Sequence, residues 1–288
     1  MATYSIKDLE NYTQIKAHTL RIWEQRYNIL TPQRTDTNIR YYSEEDLKKL
    51  LNVNLLYNNG LKISKIAKLT DEAILEQVKK IIEKHHSDDR PEIDALIISV
   101  MSMESEEIHS QLNTYFDKFG IEKMYEDIIV PVLIKIGKLW QVNALSIGHE
   151  HLFSNLLREF IIMKIGALTV DKRNGKKVLL FLPENEEHEL SLLFYHFLLK
   201  RAGYNCTYLG AKVPMADLKN SVEHVRPELL VTNMIAKVEQ SEVIQFFNEL
   251  SSFFNLKNVR VGGYQSQVYE NVIPKEVTLI QSENELFA

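Results

Sequence analysis

The spacing of apolar residues divides the chain into a helical first part and a mixed second part. Up to about residue 167, apolar residues recur every three or four positions, which is typical of amphipathic helices. From residue 175, continuous apolar runs alternate with helical segments, which indicates buried parallel strands joined by helices. The predicted strands are Lys177–Leu182, Asn205–Leu209, Leu229–Asn233, Val259–Gly262 and Val277–Gln281, and the predicted helices cover about 187–202, 215–225, 240–254 and 265–271. We therefore predict an α/β domain at 175–288, with a five-stranded parallel Rossmann-like sheet in the flavodoxin-like order 2-1-3-4-5.

The segment 90–170 is predicted to form a four-helix bundle, because it keeps the helical period and carries little strand signal. Breaks between helices are expected at Gly120 and at 143–148. The core candidates of the bundle are Met101, Phe116, Met124, Ile128 and Val132. A charged amphipathic helix at 71–86 leads into this region, and 76–89 is predicted to be a helical linker.

The first 75 residues combine short helices with one hairpin-like insert and are predicted to form a domain of their own. Ser5 and Ser43 each precede a helical segment and are suited to be N-caps. A longer helix is predicted at 16–27. The segment 30–42 contains turn-forming residues and ends in an aromatic run, which favours a hairpin.

Length and composition limit the class of protein. The chain has 288 residues, of which 45% are hydrophobic and 25% charged, so we expect two or three globular domains. No apolar run reaches the roughly 18 residues that a membrane span needs, and the N-terminus lacks the apolar core of a signal peptide. The single cysteine, Cys206, excludes an internal disulfide and is expected to be a buried, inert thiol. We therefore expect a cytoplasmic protein with no membrane partner.

The formal net charge of −5 is unevenly distributed along the chain. Residues 1–70 carry 11 Lys and Arg against 7 Asp and Glu, whereas the remainder carries 23 against 32. A basic module on an acidic body suits binding of nucleic acid by the first module alone.

Three short segments of this basic module resemble the MerR winged helix-turn-helix family. They are Tyr4-Ser5-Ile6, His18-Thr19-Leu20-Arg21-Ile22-Trp23-Glu24 and Arg40-Tyr41-Tyr42. The resemblance covers residues 3 to about 70 and implies a DNA-reading second helix followed by a wing. The side chains predicted to contact DNA are His18, Thr19, Arg21, Gln25, Arg26, Arg34, Arg40 and Tyr41. Trp23 is assigned to the core. The alternative is an all-helical interaction domain with solvated arginines.

Two further segments suggest a ligand site. Glu186-Glu187-His188 follows the first predicted strand of the sheet, and open α/β sheets bind ligands at the carboxyl ends of their strands. Glu186 could hold the His188 imidazole in one tautomer. In the helical region, Trp140 is followed after nine residues by Glu150-His151.

Together these segments resemble the cobalamin-binding region of light-sensing MerR-type repressors, the CarH/LitR group. The resemblance implies that His188 ligates the cobalt of adenosylcobalamin, that Trp140 caps the adenosyl group, and that Glu150 and His151 bound the pocket. The other positions that it assigns to the cofactor are Glu186, Ser191, Thr232, Gly262 and Gly263. The chain departs from the family pattern in three places, where Ser191 replaces a glycine, Lys212 an aspartate and Gln141 a histidine.

The sequence therefore predicts a DNA-binding transcriptional regulator controlled by adenosylcobalamin and acting as a photoreceptor. The expected partners are a double-stranded DNA operator, further copies of the chain in a dimer or tetramer, and RNA polymerase or an antirepressor protein. One alternative is a MerR-type regulator that has lost cobalamin, and a less favoured one is a subunit of a corrinoid methyltransferase. We expect no enzymatic activity, because no nucleophile–base set or phosphate-binding loop is evident.

Two simpler interpretations of these segments stay open beside this prediction. Trp140 could anchor the bundle core, with Glu150 and His151 on the helix surface. The run His149-Glu150-His151 could suggest zinc, but residues two apart on a helix point in different directions, so a metal-only site is disfavoured.

Overall fold

The computed structural model describes residues 3–13, 15–35, 38–84, 90–142, 144–169 and 175–287. Its internal contacts divide the chain into two compact units, Met1–Phe153 and Ser154–Ala288. This boundary falls within a helix of the predicted bundle, whereas the sequence suggested limits near residues 75, 90 and 170. Those finer domain limits stay a prediction.

The N-terminal module has five helices and a two-stranded hairpin among its described residues. They are α1 (Ile6–Thr13), α2 (Ala17–Tyr27), β1 (Gln33–Arg34), β2 (Arg40–Tyr41), α3 (Glu44–Asn58), α4 (Ile63–Ile66) and α5 (Asp71–Lys84). The two strands are antiparallel, with Gln33 opposite Tyr41. The predicted hairpin at 30–42 is therefore confirmed. The expected end of α5 at His85-His86 lies outside the described residues.

Both predicted serine caps stabilise the helices that follow them. The Ser43 hydroxyl accepts from the backbone N–H of Asp46 at 3.1 Å, and the Asp46 carboxylate accepts from the N–H of Ser43 at 2.9 Å. Ser5 and Asp8 make the same reciprocal pair at the start of α1. Each pair satisfies N–H groups that would otherwise lack partners in the first turn.

The second helical region contains α6 (Pro91–Met101), α7 (Ser105–Met124), a π-helical turn (Tyr125–Ile129), α8 (Val130–Gln141) and α9 (Ile147–Ala167). Within the first unit, α6 packs against α7 and α8. Helix α7 is kinked at Gly120, which has a φ of 75°, and α8 and α9 are separated between Gln141 and Ile147. Both predicted breaks are thus confirmed.

The predicted core residues of this region are mostly buried. Met124, Ile128 and Val132 are at most 3% exposed, and Phe116 is half-buried. Met101 was wrongly assigned to the core, because it is 51% exposed. It is the last residue of α6, where the periodic pattern ends and the chain turns into solvent.

The second unit contains the predicted parallel sheet. Its elements are β3 (Lys177–Pro183), α10 (Leu190–Arg201), β4 (Asn205–Val213), α11 (Met215–Val225), β5 (Leu229–Asn233), α12 (Gln240–Ser251), β6 (Val259–Gly262), α13 (Tyr264–Val268), β7 (Thr278–Leu279) and α14 (Glu283–Phe287). The strand order is β4-β3-β5-β6-β7, and all pairs are parallel. This is the predicted 2-1-3-4-5 order, so the carboxyl ends of β3 and β5 lie side by side at the centre of the sheet.

Two local features of the second unit differ from, or add to, the sequence-based expectation. Helix α10 begins at Leu190 instead of residue 187, which leaves Glu187 and His188 in the loop that follows β3. Cys206 is half-buried, and burial raises the pKa of its thiol to about 12, which agrees with an inert side chain. No helix in the described part of the chain is long and apolar enough to span a membrane.

Candidate functional site

The outer face of α2 presents the side chains that were predicted to read DNA. His18, Arg21 and Gln25 are exposed and follow each other at helical spacing, so they share one face. Arg26 is also exposed, and Thr19 is half-buried with its hydroxyl 3.3 Å from the His18 imidazole. The structure therefore brings these donors together on the predicted recognition helix.

The hairpin holds the three other residues predicted to contact DNA. Arg34 is exposed and donates to the side-chain oxygen of Asn38 at 2.6 Å, within the hairpin. Tyr41 is half-buried. Arg40 turns towards α2, with its Nε 3.4 Å from Oε2 of Glu24 and only 28% of its side chain exposed.

A buried carboxylate that sequence reasoning missed joins the recognition helix to the hairpin. Glu24 is 9% exposed and accepts a hydrogen bond from the Tyr42 hydroxyl, beside its ion pair with Arg40. Burial raises the pKa of Tyr42, and the hydrogen bond to Glu24 raises it further, so the phenol keeps its proton. The only sequence signal was an acidic residue directly after the buried Trp23.

In the second unit, His188 and Glu186 form the centre of the predicted ligand site. His188 lies on the loop that leaves β3, with 56% of its side chain exposed, and its Nδ1 is 2.5 Å from Oε1 of Glu186. Because Nδ1 is held by a carboxylate, Nε2 is the ring nitrogen suited to bind a metal.

The Glu186 carboxylate is buried and fully hydrogen-bonded. It accepts backbone N–H bonds from Glu187 and His188 at 3.0 Å, and from Ile235 and Ala236 at 2.6 Å. Burial alone would raise its pKa, but the hydrogen bonds from His188 and from these backbone groups outweigh burial and lower the pKa to about 2. Glu186 thereby connects the loop after β3 to the loop after β5. It also holds both the backbone N–H and the Nδ1 of His188.

Two ion pairs surround this loop. Lys212, which stands where the family has an aspartate, lies near the end of β4, and its ammonium is 2.5 Å from Oε2 of Glu187. Glu189 pairs with Arg158 at 2.9 Å and accepts from the Tyr208 hydroxyl at 3.3 Å. Ser191 is half-buried in the first turn of α10. The departure at Lys212 thus adds a contact to the histidine loop.

Polar side chains without partners are buried at the carboxyl end of β5. Thr232 and Asn233 are fully buried, and within the described residues neither the Thr232 hydroxyl nor the Asn233 amide has a hydrogen-bond partner. Such groups destabilise a fold unless a ligand or water satisfies them. Thr232 and Asn233 lie on the central strand β5, next to β3. Their side chains could therefore donate to and accept from a polar ligand group at the carboxyl edge of the sheet.

The glycine pair after β6 is closely packed. A Cβ atom on Gly262 would lie 2.4 Å from both the Tyr195 hydroxyl and Oδ1 of Asn233. On Gly263, which has a φ of 91°, it would lie 2.4 Å from the Met234 carbonyl oxygen. Both positions require glycine in this fold. The Tyr195 ring of α10 fills the space beside Gly262, which sequence reasoning did not foresee.

A cavity of about 230 Å³ lies beside Glu186, bordered by α11 and α12. Its floor is apolar and includes Met215, Leu218 and Phe246. This volume is below that of common cofactor pockets. We therefore regard it as a small cleft at the carboxyl edge of the sheet, beside the loops after β3 and β5.

The three site residues predicted from the helical region belong to the first unit. Trp140 is half-buried and packs against the hydrophobic core of the N-terminal module, with the Lys48 ammonium 5.0 Å from its ring centre. Glu150 and His151 lie near the start of α9, and Nδ1 of His151 is 2.9 Å from Oε2 of Glu150.

The neighbouring residues of α8 and α9 add two observations. The backbone oxygen of Gln141 accepts a hydrogen bond from Asn52 at 3.1 Å. His149 is hydrogen-bonded to Ser146 just before α9. No cluster of three metal-ligating side chains occurs in the described ranges, His149 and His151 included.

Two family models match parts of the chain. The model of the MerR HTH family regulatory proteins matches residues 4–73, and that of the B12 binding domain matches residues 92–163. Two Myxococcus xanthus proteins are similar over most of the chain. The HTH-type transcriptional repressor CarH is 28% identical over 81% of this chain and 79% of its own, and the repressor CarA is 29% identical over 81% and 77%.

The fold is also similar to that of a solved corrinoid protein. The Methanosarcina barkeri monomethylamine corrinoid protein aligns with a TM-score of 0.54, covering 68% of this chain and 94% of its own at 12% identity. At that identity the likeness shows the fold alone. The sequence matches show a MerR-type helix-turn-helix joined to a B12-binding domain, and homology to proteins named as repressors and not as enzymes.

Proposed function

We propose that this homologue of the CarH and CarA repressors is a transcriptional regulator whose binding to DNA is controlled by adenosylcobalamin. The observation that carries the proposal is the His188–Glu186 pair at the carboxyl edge of a corrinoid-protein-like sheet. The buried, ionised Glu186 holds Nδ1 of His188, so the imidazole is oriented and made more basic for cobalt.

The chain's residues suit the other parts of the cofactor as well. The buried groups of Thr232 and Asn233, which lack partners in the described structure, supply hydrogen-bonding atoms at the end of β5. Trp140, Glu150 and His151 are the residues we assign to the adenosyl group. When bound, adenosylcobalamin would supply a cobalt–carbon bond that light can cleave.

In this proposal the N-terminal module binds the DNA. The exposed row of His18, Arg21 and Gln25 on α2 suits base edges in a major groove, and Arg34 suits the phosphate backbone. One such module reads one half-site, so we expect a dimer or tetramer on a near-palindromic operator. RNA polymerase or an antirepressor protein would be the further partner of such a regulator.

A regulator that has lost cobalamin is the competing function, and one specific observation favours it. Tyr195 lies against Gly262, where the family resemblance places the nucleotide base of the cofactor. Ser191 and Lys212 also depart from the family pattern. Under this alternative the sheet would be a protein-binding module and would bind no corrinoid.

Absorption spectra of the full chain with adenosylcobalamin, recorded in the dark, test the proposal. We expect the bound form to show cobalt with its own base displaced, because His188 takes that position. His188→Ala should lose affinity or restore the base-on spectrum, whereas His224→Ala, which changes an exposed histidine of α11, should behave as wild type.

Two results would contradict the proposal in different ways. Identical spectra for wild type and His188→Ala would remove His188 from the site. Complete absence of binding would favour the cofactor-free alternative, and Ser191→Gly would then test whether Ser191 blocks the corrin. On the DNA side, failure of the full chain to bind any duplex even at low salt would exclude the regulator under either version.

A further inference from the structure

The end of helix α8 takes part in the core of the DNA-binding module. The hydrophobic cluster of that module is built from residues of the first 81 positions, with two exceptions among the described residues, Trp140 and Val142. Val142 is only 4% exposed, although it directly follows α8 of the helical region. A segment about 60 residues away in sequence is therefore buried with the helix-turn-helix.

Helix α3 provides the polar half of this contact. Lys48 and Asn52 lie one helical turn apart and so share one face of α3. The Lys48 ammonium lies 5.0 Å from the centre of the Trp140 ring, within the range of a cation–π contact. Asn52 is 3% exposed and donates from Nδ2 to the backbone oxygen of Gln141 at 3.1 Å.

Two buried polar atoms of this contact have no hydrogen-bond partner in the described structure. The indole N–H of Trp140 is buried and has no acceptor in the described part of the molecule, and the same holds for Oδ1 of Asn52. Buried polar atoms without partners weaken an interface compared with a fully paired one. A cleft of about 320 Å³ lies beside Lys48 and Asn52 and is lined by residues of α3 and α5. The contact between α3 and the end of α8 is thus specific, but two of its buried polar atoms lack partners in the described structure.

We infer that Trp140, Gln141 and Val142 form a latch that docks the DNA-binding module on α8, and that adenosylcobalamin releases the latch by taking Trp140. The latch itself stands on the contacts above. Its release rests on the proposed function, in which Trp140 caps the adenosyl group. One indole cannot serve both surfaces, so the docked module and the bound ligand exclude each other.

Because the two states exclude each other, docking of the DNA-binding module and binding of adenosylcobalamin are expected to weaken each other. Only the undocked fraction of the protein can bind the ligand with full affinity, so docking weakens apparent binding in proportion. If nine-tenths of the ligand-free protein is docked, breaking the latch should lower the midpoint of a cobalamin titration roughly ten-fold. Reciprocally, bound ligand should free the module that reads DNA.

The full chain offers matched variants on α3. Lys48→Ala and Asn52→Ala remove the two latch contacts. Lys49→Ala and Asn54→Ala are their controls, because Lys49 pairs with Asp71 at 2.8 Å and Asn54 donates to the Thr13 backbone oxygen at 2.9 Å. If Asn52→Ala fails to fold because Asn52 is buried, the half-buried Lys48 still decides the test.

The first measurement is quenching of tryptophan emission by iodide in the ligand-free protein. The chain has two tryptophans, and Trp23 is only 6% exposed, so the change reports mainly Trp140. We expect the latch variants to raise the quenched fraction and the control variants to leave it unchanged. Equal quenching in wild type, latch variants and controls would overturn the latch.

The second measurement is the titration of the same variants with adenosylcobalamin in the dark. A lower midpoint in the latch variants than in the controls supports release by the ligand. Equal midpoints would overturn that release. A chain that binds no cobalamin at all would refute both the proposed function and the release, whereas iodide quenching judges the latch independently of the cofactor.

Discussion

At the scale of single residues, we expect Tyr195 to restrict which corrinoids the second unit can bind. Its ring occupies the space beside Gly262, and the neighbouring Asn233 has an amide without partners in the described structure. Under the proposed function the nucleotide base of cobalamin would lie beside Gly262, so complete cobalamin would have to move this ring, whereas a corrinoid without the nucleotide tail would not. Tyr195 is therefore expected to set the preference between the two.

We predict that Tyr195→Ala strengthens binding of complete cobalamin more than binding of cobinamide, which lacks the nucleotide. We expect a gain of several-fold, because moving one half-buried, closely packed aromatic ring costs on the order of 1–2 kcal/mol. Binding titrations of both corrinoids measure the ratio, and Tyr264→Ala, at a 65% exposed tyrosine, is the control. An unchanged ratio would mean that the ring does not stand in the way.

His196 makes a second prediction at this scale. It is half-buried on α10 and stacks on Tyr208, with ring centres 5.2 Å apart. Burial, helped by the charge of Lys200, lowers the pKa of His196 to about 4 from its ordinary value of 6.5. The unfolded chain therefore binds a proton between these two values that the folded chain does not, so this residue makes stability fall as pH drops from 6.5 to 4.

Replacing His196 by phenylalanine should keep the stacking and remove this pH dependence. Between pH 7.5 and pH 5, wild type should lose roughly 2 kcal/mol of unfolding free energy more than His196→Phe. Urea denaturation at the two pH values measures this difference. His224→Phe, at the exposed histidine of α11, should follow the wild type. Parallel losses in wild type and His196→Phe would show that His196 is not the responsible group.

At the scale of elements, the hydrogen bond between Tyr42 and Glu24 fixes the hairpin against the recognition helix. We predict that Tyr42→Phe lowers stability by about 1–3 kcal/mol, because it leaves a buried carboxylate with one donor fewer. It should also weaken binding to a specific operator more than to random duplex, since the relative placement of α2 and β2 loosens while the exposed Arg21 and Arg34 remain. Tyr57→Phe, at a 46% exposed tyrosine of α3, is the control.

Competition binding with operator and random DNA measures this discrimination. If Tyr42→Phe weakened binding to both duplexes equally, the contacts of Glu24 with Tyr42 and Arg40 would contribute to stability and not to discrimination between DNA sequences. A pH-independent effect from pH 6 to 9 is expected, because burial and Glu24 raise the pKa of the Tyr42 phenol.

Elements with strong local signals could be predicted from the sequence, but the start of one helix could not. The Ser43 cap and the apolar run of β3 specify their elements by neighbouring residues alone. The start of α10 was misplaced because the carboxylate of Glu186 binds the N–H groups of Glu187 and His188 and delays the helix. Periodicity in sequence does not contain that contact.

The candidate site was likewise only partly predictable. His188 and Glu186 could be identified from their place after an apolar strand. The backbone donors at Ile235 and Ala236 could not, because they reach Glu186 from a loop about 50 residues further along the chain. Trp140 shows the same limit, because its position near the end of α8 carries no sign that it packs on the DNA-binding module.

At the scale of the whole molecule, the residues assigned to adenosylcobalamin are divided between two units. Trp140 and Glu150 belong to the first, and Glu186 and His188 to the second. A ligand that uses both sets can shift the molecule only by its difference in affinity between arrangements. We therefore expect the dark, cofactor-loaded protein to differ from the free protein in oligomeric state and in DNA affinity.

Under the proposed function, we expect Gln141 to determine which ligand the cobalt can take after illumination. Photolysis of adenosylcobalamin removes the adenosyl group, and with it the proposed contact to Trp140. An imidazole at residue 141 could offer the cobalt a new ligand, but a glutamine amide is a far weaker one. We predict a light-induced change in elution volume that is small or reversible in wild type and larger and lasting in Gln141→His.

Size-exclusion chromatography of the loaded protein, dark and illuminated, measures this effect, and Gln141→Asn is the control that lacks an imidazole. All three proteins keep the backbone oxygen that accepts the hydrogen bond from Asn52, so the substitution alters the side chain and not that contact. Identical elution and DNA affinity before and after illumination in wild type and Gln141→His would exclude light sensing. Binding of DNA and of cobalamin would still be judged by their own experiments, since neither depends on cleavage of the cobalt–carbon bond.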